Sequence, residues 1–112
     1  MAAVRILPVV LLAASFCLGA DTGKTGPASS DVHTVTIEAM KYLPERLTVH
    51  AGETVVWINK DLFPHTVTEV HGRFDSHVIQ PNASWRYVAK KPGAFDYVCT
   101  LHPSMKGALV VK

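Results

Sequence analysis

Cysteine is almost absent from this chain, with two in 112 residues, Cys17 and Cys99. Cys17 sits in an N-terminal stretch with the marks of an export signal, so the processed chain keeps one thiol. That excludes a disulfide framework and leaves a lone cysteine in an oxidising compartment that needs a role. A surplus of one charge is also missing. Eleven Lys and Arg face nine Asp and Glu, too even a balance to imply nucleic acid, and no run of Lys or Arg supports a polyanion surface. Helical periodicity of useful length is missing too, and so is any long apolar run beyond the N-terminus.

That N-terminal run is specific in character. Residues 1–20 hold 16 apolar residues, a single charge at Arg5 and no acid. The apolar part from Ile6 to Leu18 is interrupted by Pro8 and falls short of the roughly 20 residues a spanning helix needs. Leu18-Gly19-Ala20 ends it in small residues suited to cleavage. Residues 1–20 are therefore expected to be a signal peptide, with no stable membrane insertion after its removal. Residues 21–31 carry Gly23, Gly26, Pro27, Ser29 and Ser30 and no large apolar side chain, which reads as a flexible leader. What remains, 32–112, is long enough for one domain with one modest core.

In that domain the pattern has period two. Val35, Ile37 and Ala39 alternate with Thr34, Thr36 and Glu38. Leu47 and Val49, then Trp85, Tyr87 and Ala89, then Phe95, Tyr97 and Cys99 repeat the alternation, and Thr54–Asn59 and Ala108–Val111 are more continuously apolar. Turn residues fall between them at Ala51-Gly52, Lys60-Asp61, His71-Gly72, Pro81-Asn82 and Lys91-Pro92-Gly93. Short strands at this spacing imply an all-β sandwich. Residues 70–83 are the least regular and read as a crossover with one short strand around Val78.

The chemistry is concentrated in Cys99-Thr100-Leu101-His102-Pro103-Ser104-Met105. A strand ends at Cys99, and a short loop then offers His102 and Met105. A fourth partner, His65, follows Pro64 in the loop after the strand containing Trp57. Thiolate and thioether are soft and suit Cu(I), and imidazole suits Cu(II). Two His and one Cys in a plane with a weak axial Met make an electron-transfer copper site.

With Trp57-Ile58-Asn59, Pro64-His65, Tyr97, Cys99-Thr100, His102-Pro103, Met105 and Lys106-Gly107 in view, the sequence resembles the cupredoxins, in their amicyanin/plastocyanin-like branch of small blue copper proteins. The match covers most of 32–112, and the short Cys-x-x-His-x-x-Met spacing is its most specific part. The resemblance implies a Greek-key β-sandwich with one type 1 copper at one end, cycling between Cu(II) and Cu(I). It implies His65, Cys99, His102 and Met105 as ligands, and Asn59 as a residue that hydrogen-bonds near the ligand loop and fixes Cys99. It further implies a monomeric periplasmic electron carrier whose redox donor and acceptor dock at an apolar face around His102, ringed by Phe63, Pro64, Leu101 and Pro103. Leu101 and Ser104 depart from the amicyanin pattern, which has a proline and an aromatic residue there.

Two other functions compete with this one. A periplasmic copper-binding protein for delivery or resistance would favour Met-rich or His-rich exposed sites, and only Met40 and Met105 survive processing. An enzyme would need a nucleophile with a base and cleft, or further His clusters for substrate copper; none is evident, so no catalytic residue is expected. His33, His50, His71 and His77 lack ligand spacing and read as solvated. Lys90 and Lys91 read as a solvated turn.

Overall fold

A computed structural model describes residues 31–112; the expected signal peptide (1–20) and the leader up to residue 30 lie outside the described residues. Eight strands follow one another: β1 (Val32–Glu38), β2 (Lys41–Leu43), β3 (Arg46–Val49), β4 (Thr54–Asn59), β5 (Thr68–Glu69), β6 (Ser84–Val88), β7 (Gly93–Cys99) and β8 (His102–Val111). They form two four-stranded sheets, ordered β2-β1-β4-β6 and β3-β8-β7-β5. Pairing is parallel for β1 with β4 and for β3 with β8, and antiparallel elsewhere. The architecture is the expected all-β Greek-key sandwich.

The period-two pattern does what it predicts. Val35 and Ile37 of β1, Val55 and Trp57 of β4, and Phe95, Tyr97 and Cys99 of β7 all point inward and are buried, as are Leu109 and Val111 of β8. Alternate residues face out, because successive side chains of a strand leave on opposite faces. Turn chemistry sits where positive φ is required, as at Gly52 (φ 94°) and Asn82 (φ 67°).

Three local expectations change, and two short strands are added. β1 stops at Glu38, because Ala39 and Met40 adopt φ of 52° and 59° and turn the chain into β2. β2 and β5 have only three and two residues, too short for alternation to register. Val78 is not in a strand: it is exposed, and its neighbour Ile79 makes an isolated bridge to His65. His33 is half-buried rather than solvated, with Nε2 3.2 Å from Glu53 Oε1.

The crossover from β5 is held by one buried carboxylate. Glu69 accepts from Arg73 Nε at 2.8 Å and from the backbone N–H groups of His71 at 2.8 Å and Arg73 at 3.0 Å. Arg73, chiefly through that side-chain bond, holds the Glu69 carboxyl down to about 2 despite the opposing effect of burial. The Arg73 guanidinium lies 4.2 Å from the centre of the Phe95 ring, which fastens the loop to β7.

A candidate metal centre between two loops and a bulged hairpin

β7 delivers Cys99 to one end of the sandwich with its side chain fully buried. The chain turns through Thr100 and Leu101, and β8 begins at His102, paired directly with Cys99. The segment expected as a loop is thus the first part of a strand. Its irregularity is a bulge: Val98 pairs with Lys106, Cys99 with His102, and Pro103–Met105 are extra residues on the β8 side. Such a bulge re-aims side chains without breaking the hairpin, and here it separates His102 from Met105 within four residues.

His65 comes from the β4–β5 connection and is completely buried. Its Nδ1 lies 3.7 Å from Cys99 Sγ, and His102 Nδ1 lies 3.8 Å from the same sulfur. One ligand atom from each of the three residues falls within 4.8 Å of the others. A metal with bonds of about 2.0 Å to nitrogen and about 2.3 Å to sulfur, with ligands at about 120° in one plane, would place N and S about 3.7 Å apart. The observed gaps fit that arrangement. Met105 is buried in the core cluster, two residues along β8 from Gly107.

Hydrogen bonds prepare each donor. Thr66 N–H donates to Cys99 Sγ at 3.3 Å, which holds the sulfur in place. Thr66 Oγ1 accepts from Thr100 N–H at 2.9 Å, fixing the residue after Cys99. On the other side, His65 Nε2 meets Asp61 Oδ2 at 2.8 Å. With Nε2–H donating to a carboxylate, Nδ1 carries the lone pair and faces Cys99, the orientation that metal-ligating imidazoles receive from a carboxylate partner. Burial pushes the Asp61 carboxyl up, but Met40 N–H, His65 and Ala39 N–H outweigh it and hold it below the ordinary carboxylate value. The same two N–H groups, at 2.9 and 3.0 Å, close the left-handed β1–β2 turn onto Asp61.

Asn59 is fully buried but serves the other loop. Its Nδ2 donates to the carbonyls of Phe63 (2.8 Å) and Ile79 (2.9 Å), and its Oδ1 accepts from Asp61 N–H at 2.9 Å. These bonds shape the segment carrying His65. The bonds around Cys99 come from Thr66. Asp61 and Thr66 are the residues sequence reading missed; an acid four residues before a ligand His was the one available signal.

The comparisons with known proteins agree with this geometry. The model of the Cupredoxin-like domain family matches residues 8–111. The chain belongs to the cupredoxins. Amicyanin of Paracoccus versutus is 35% identical over 88 residues, covering 74% of this chain and 67% of its own length. Chloroplastic plastocyanin of Physcomitrium patens is 28% identical, covering 96% and 80%. A solved Cu(I) form of an amicyanin variant superposes with a TM-score of 0.70 at 32% identity, over 76% of this chain and 86% of that one. These place the cupredoxin in the amicyanin/plastocyanin branch.

Asp61→Ala should lower metal affinity about 10–100-fold, since it frees the His65 ring and removes its partner. Asp61→Asn, which keeps an acceptor oxygen, should fall in between. Competition with a chelating dye measures both; wild-type affinity for the alanine variant would show that His65 is oriented without Asp61.

Proposed function

We propose that this cupredoxin is an exported electron carrier that would hold one type 1 copper on His65, Cys99 and His102, with Met105 as a fourth, weaker donor. The observation that carries the reading is the pair of N···S gaps of 3.7 and 3.8 Å around a buried, hydrogen-bonded cysteine. When bound, copper supplies a one-electron couple. The protein's part is to keep the donor set in nearly one geometry for both charge states. His65 is locked by Asp61, and Cys99 by its strand and Thr66. Met105 is set by the β8 bulge. Burial of His65 and Cys99 keeps water from the site, and a rigid site has little to reorganise when an electron arrives.

His102 is only half-buried, and Phe63 stacks edge-on to it at 6.5 Å between ring centres. Phe63 is 55% exposed, and Leu101, next to His102 in the chain, is 47% exposed. An apolar rim of this kind suits brief docking of a redox donor and acceptor. Periplasmic location is supported by the signal-like character of 1–20 together with the amicyanin relationship.

Adding Cu(II) to the purified mature chain should produce an intense blue thiolate-to-copper band. Met105→Gln should retain copper but lower its potential, because a harder oxygen donor in place of the thioether favours Cu(II). An unchanged potential by voltammetry would remove Met105 from the donor set.

A further inference from the structure

The aromatic side chains of this protein are not scattered through the core. Most of those described form a connected set that runs from the Cys99 end to the edge opposite β2, with Phe74 bridging Tyr97 to Tyr87 beside the route through Trp57 and Trp85. Cys99 Sγ accepts from Thr66 N–H, and the carbonyl of Thr66 accepts from the Tyr42 hydroxyl. The Tyr42 ring meets Tyr97 edge-on at 4.7 Å between centres, and Tyr97 meets Trp57 at 5.5 Å. Trp57 Nε1–H also donates to the Tyr97 hydroxyl at 3.2 Å. Across the β4–β6 pair Trp57 faces Trp85 at 5.5 Å, and Trp85 stacks on Tyr87 at 5.6 Å with the planes 20° apart. Trp85 and Tyr87 lie on the edge strand β6 and are half-buried, so the file reaches the surface.

It surfaces in a particular place. Tyr87 lines a cleft of about 480 Å³ with Arg73, Val88, Lys90, Lys91 and Phe95. The charge of Arg73 is matched by Glu69 at 2.7 Å. Lys90 and Lys91 have no ion pair among the described residues, and no carboxylate lines the cleft. The cleft is therefore cationic, with an aromatic ring at its wall.

Resting on the carrier reading, we propose that this cleft is a second electron port, separate from the apolar rim at His102, for a negatively charged one-electron carrier. Lys90 and Lys91 hold the partner by charge, and the file from Tyr87 through Trp85, Trp57, Tyr97 and Tyr42 couples it to Cys99. Contacting π-systems and hydrogen bonds couple donor and acceptor better than gaps through space. One electron leaves the Cys99 end and one arrives on the oxidised partner. No bond forms or breaks, no ring is left oxidised, and all three phenol protons stay where they are.

Two measurements on the full mature chain loaded with Cu(I) test this. Titration with hexacyanocobaltate(III), a redox-inert trianion, should shift the amide NMR signals of Tyr87, Val88, Lys90 and Lys91. The shifts should vanish in a Lys90→Glu, Lys91→Glu double variant and persist in Lys41→Glu, on the far edge of the same sheet. In stopped flow at low salt, Tyr87→Leu should slow oxidation by hexacyanoferrate(III) at least about threefold, with the potential unchanged. Oxidation by the cation tris(phenanthroline)cobalt(III) should keep its rate. If Tyr87→Leu does not fold, the lysine double variant should show the same selective slowing. Shifts gathered at Leu101 and His102, or a Tyr87→Leu rate equal to wild type or slowed alike for both oxidants, would overturn the port and leave the carrier reading intact. A chain oxidised by neither reagent would overturn both.

Discussion

Replacing Cys99 with serine is expected to abolish the blue absorption and most of the copper affinity while leaving the sandwich folded. The two consequences have separate causes. Cys99 is the single thiol among the described residues, so no other side chain can supply the soft anionic donor that gives the band. A serine hydroxyl stays protonated at neutral pH, and oxygen is a harder donor than sulfur. His65 and His102 remain, but two imidazoles without an anionic donor hold copper weakly. The fold survives because the replacement is nearly isosteric. The Thr66 N–H that donates to Cys99 Sγ finds a hydroxyl oxygen in the same direction, so no buried donor is orphaned, and the cost is on the order of 1 kcal/mol. Optical spectra after Cu(II) addition and a thermal melt of the metal-free protein read the two effects separately. An intense blue band retained by the Cys99→Ser variant would remove the thiolate from the site.

Much of this was legible in sequence because strand periodicity and ligand spacing are local. Val35 and Ile37, or Phe95, Tyr97 and Cys99, declare their faces within a few residues. The seven residues from Cys99 to Met105 contain three donor types. What escaped was set by distant contacts. Thr66 meets Cys99 across 33 positions, and Asp61 reaches back 21 and 22 positions to the N–H groups of Met40 and Ala39. No spacing rule announces either. The strand character of His102–Met105 was hidden for another reason. A bulge adds residues to one side of a ladder, so the alternation that would reveal a strand is interrupted where the ligands lie. β2 and β5 were invisible because two or three residues do not make a period.

Gly107 shows the same limit in energetic form. Its place in Lys106-Gly107 is visible in the sequence, but the reason for glycine is not. In the ladder it lies directly opposite Tyr97. A Cβ added there would overlap the Tyr97 ring, standing 2.5 Å from Cε2 and 2.5 Å from the hydroxyl oxygen. The ring has nowhere to retreat. Tyr42 closes on it edge-on at 4.7 Å and Trp57 at 5.5 Å, Phe74 packs at 6.3 Å, and Trp57 Nε1–H fixes the hydroxyl. Gly107→Ala must therefore move either a packed aromatic ring or the β7–β8 ladder. Overpacking of this kind costs roughly 1–3 kcal/mol, and the absence of any soft neighbour places this variant at the upper end. For a domain of about 80 residues, roughly 2–3 kcal/mol corresponds to a fall in Tm of about 8–24 °C. The displacement also runs along β7 from Tyr97 to Cys99, two residues on. Copper should bind less tightly, and the thiolate band should shift or weaken in the variant that still folds. A Gly107→Ala protein with wild-type Tm and wild-type spectrum would mean that the Tyr97 ring is free to move, contrary to its packing here.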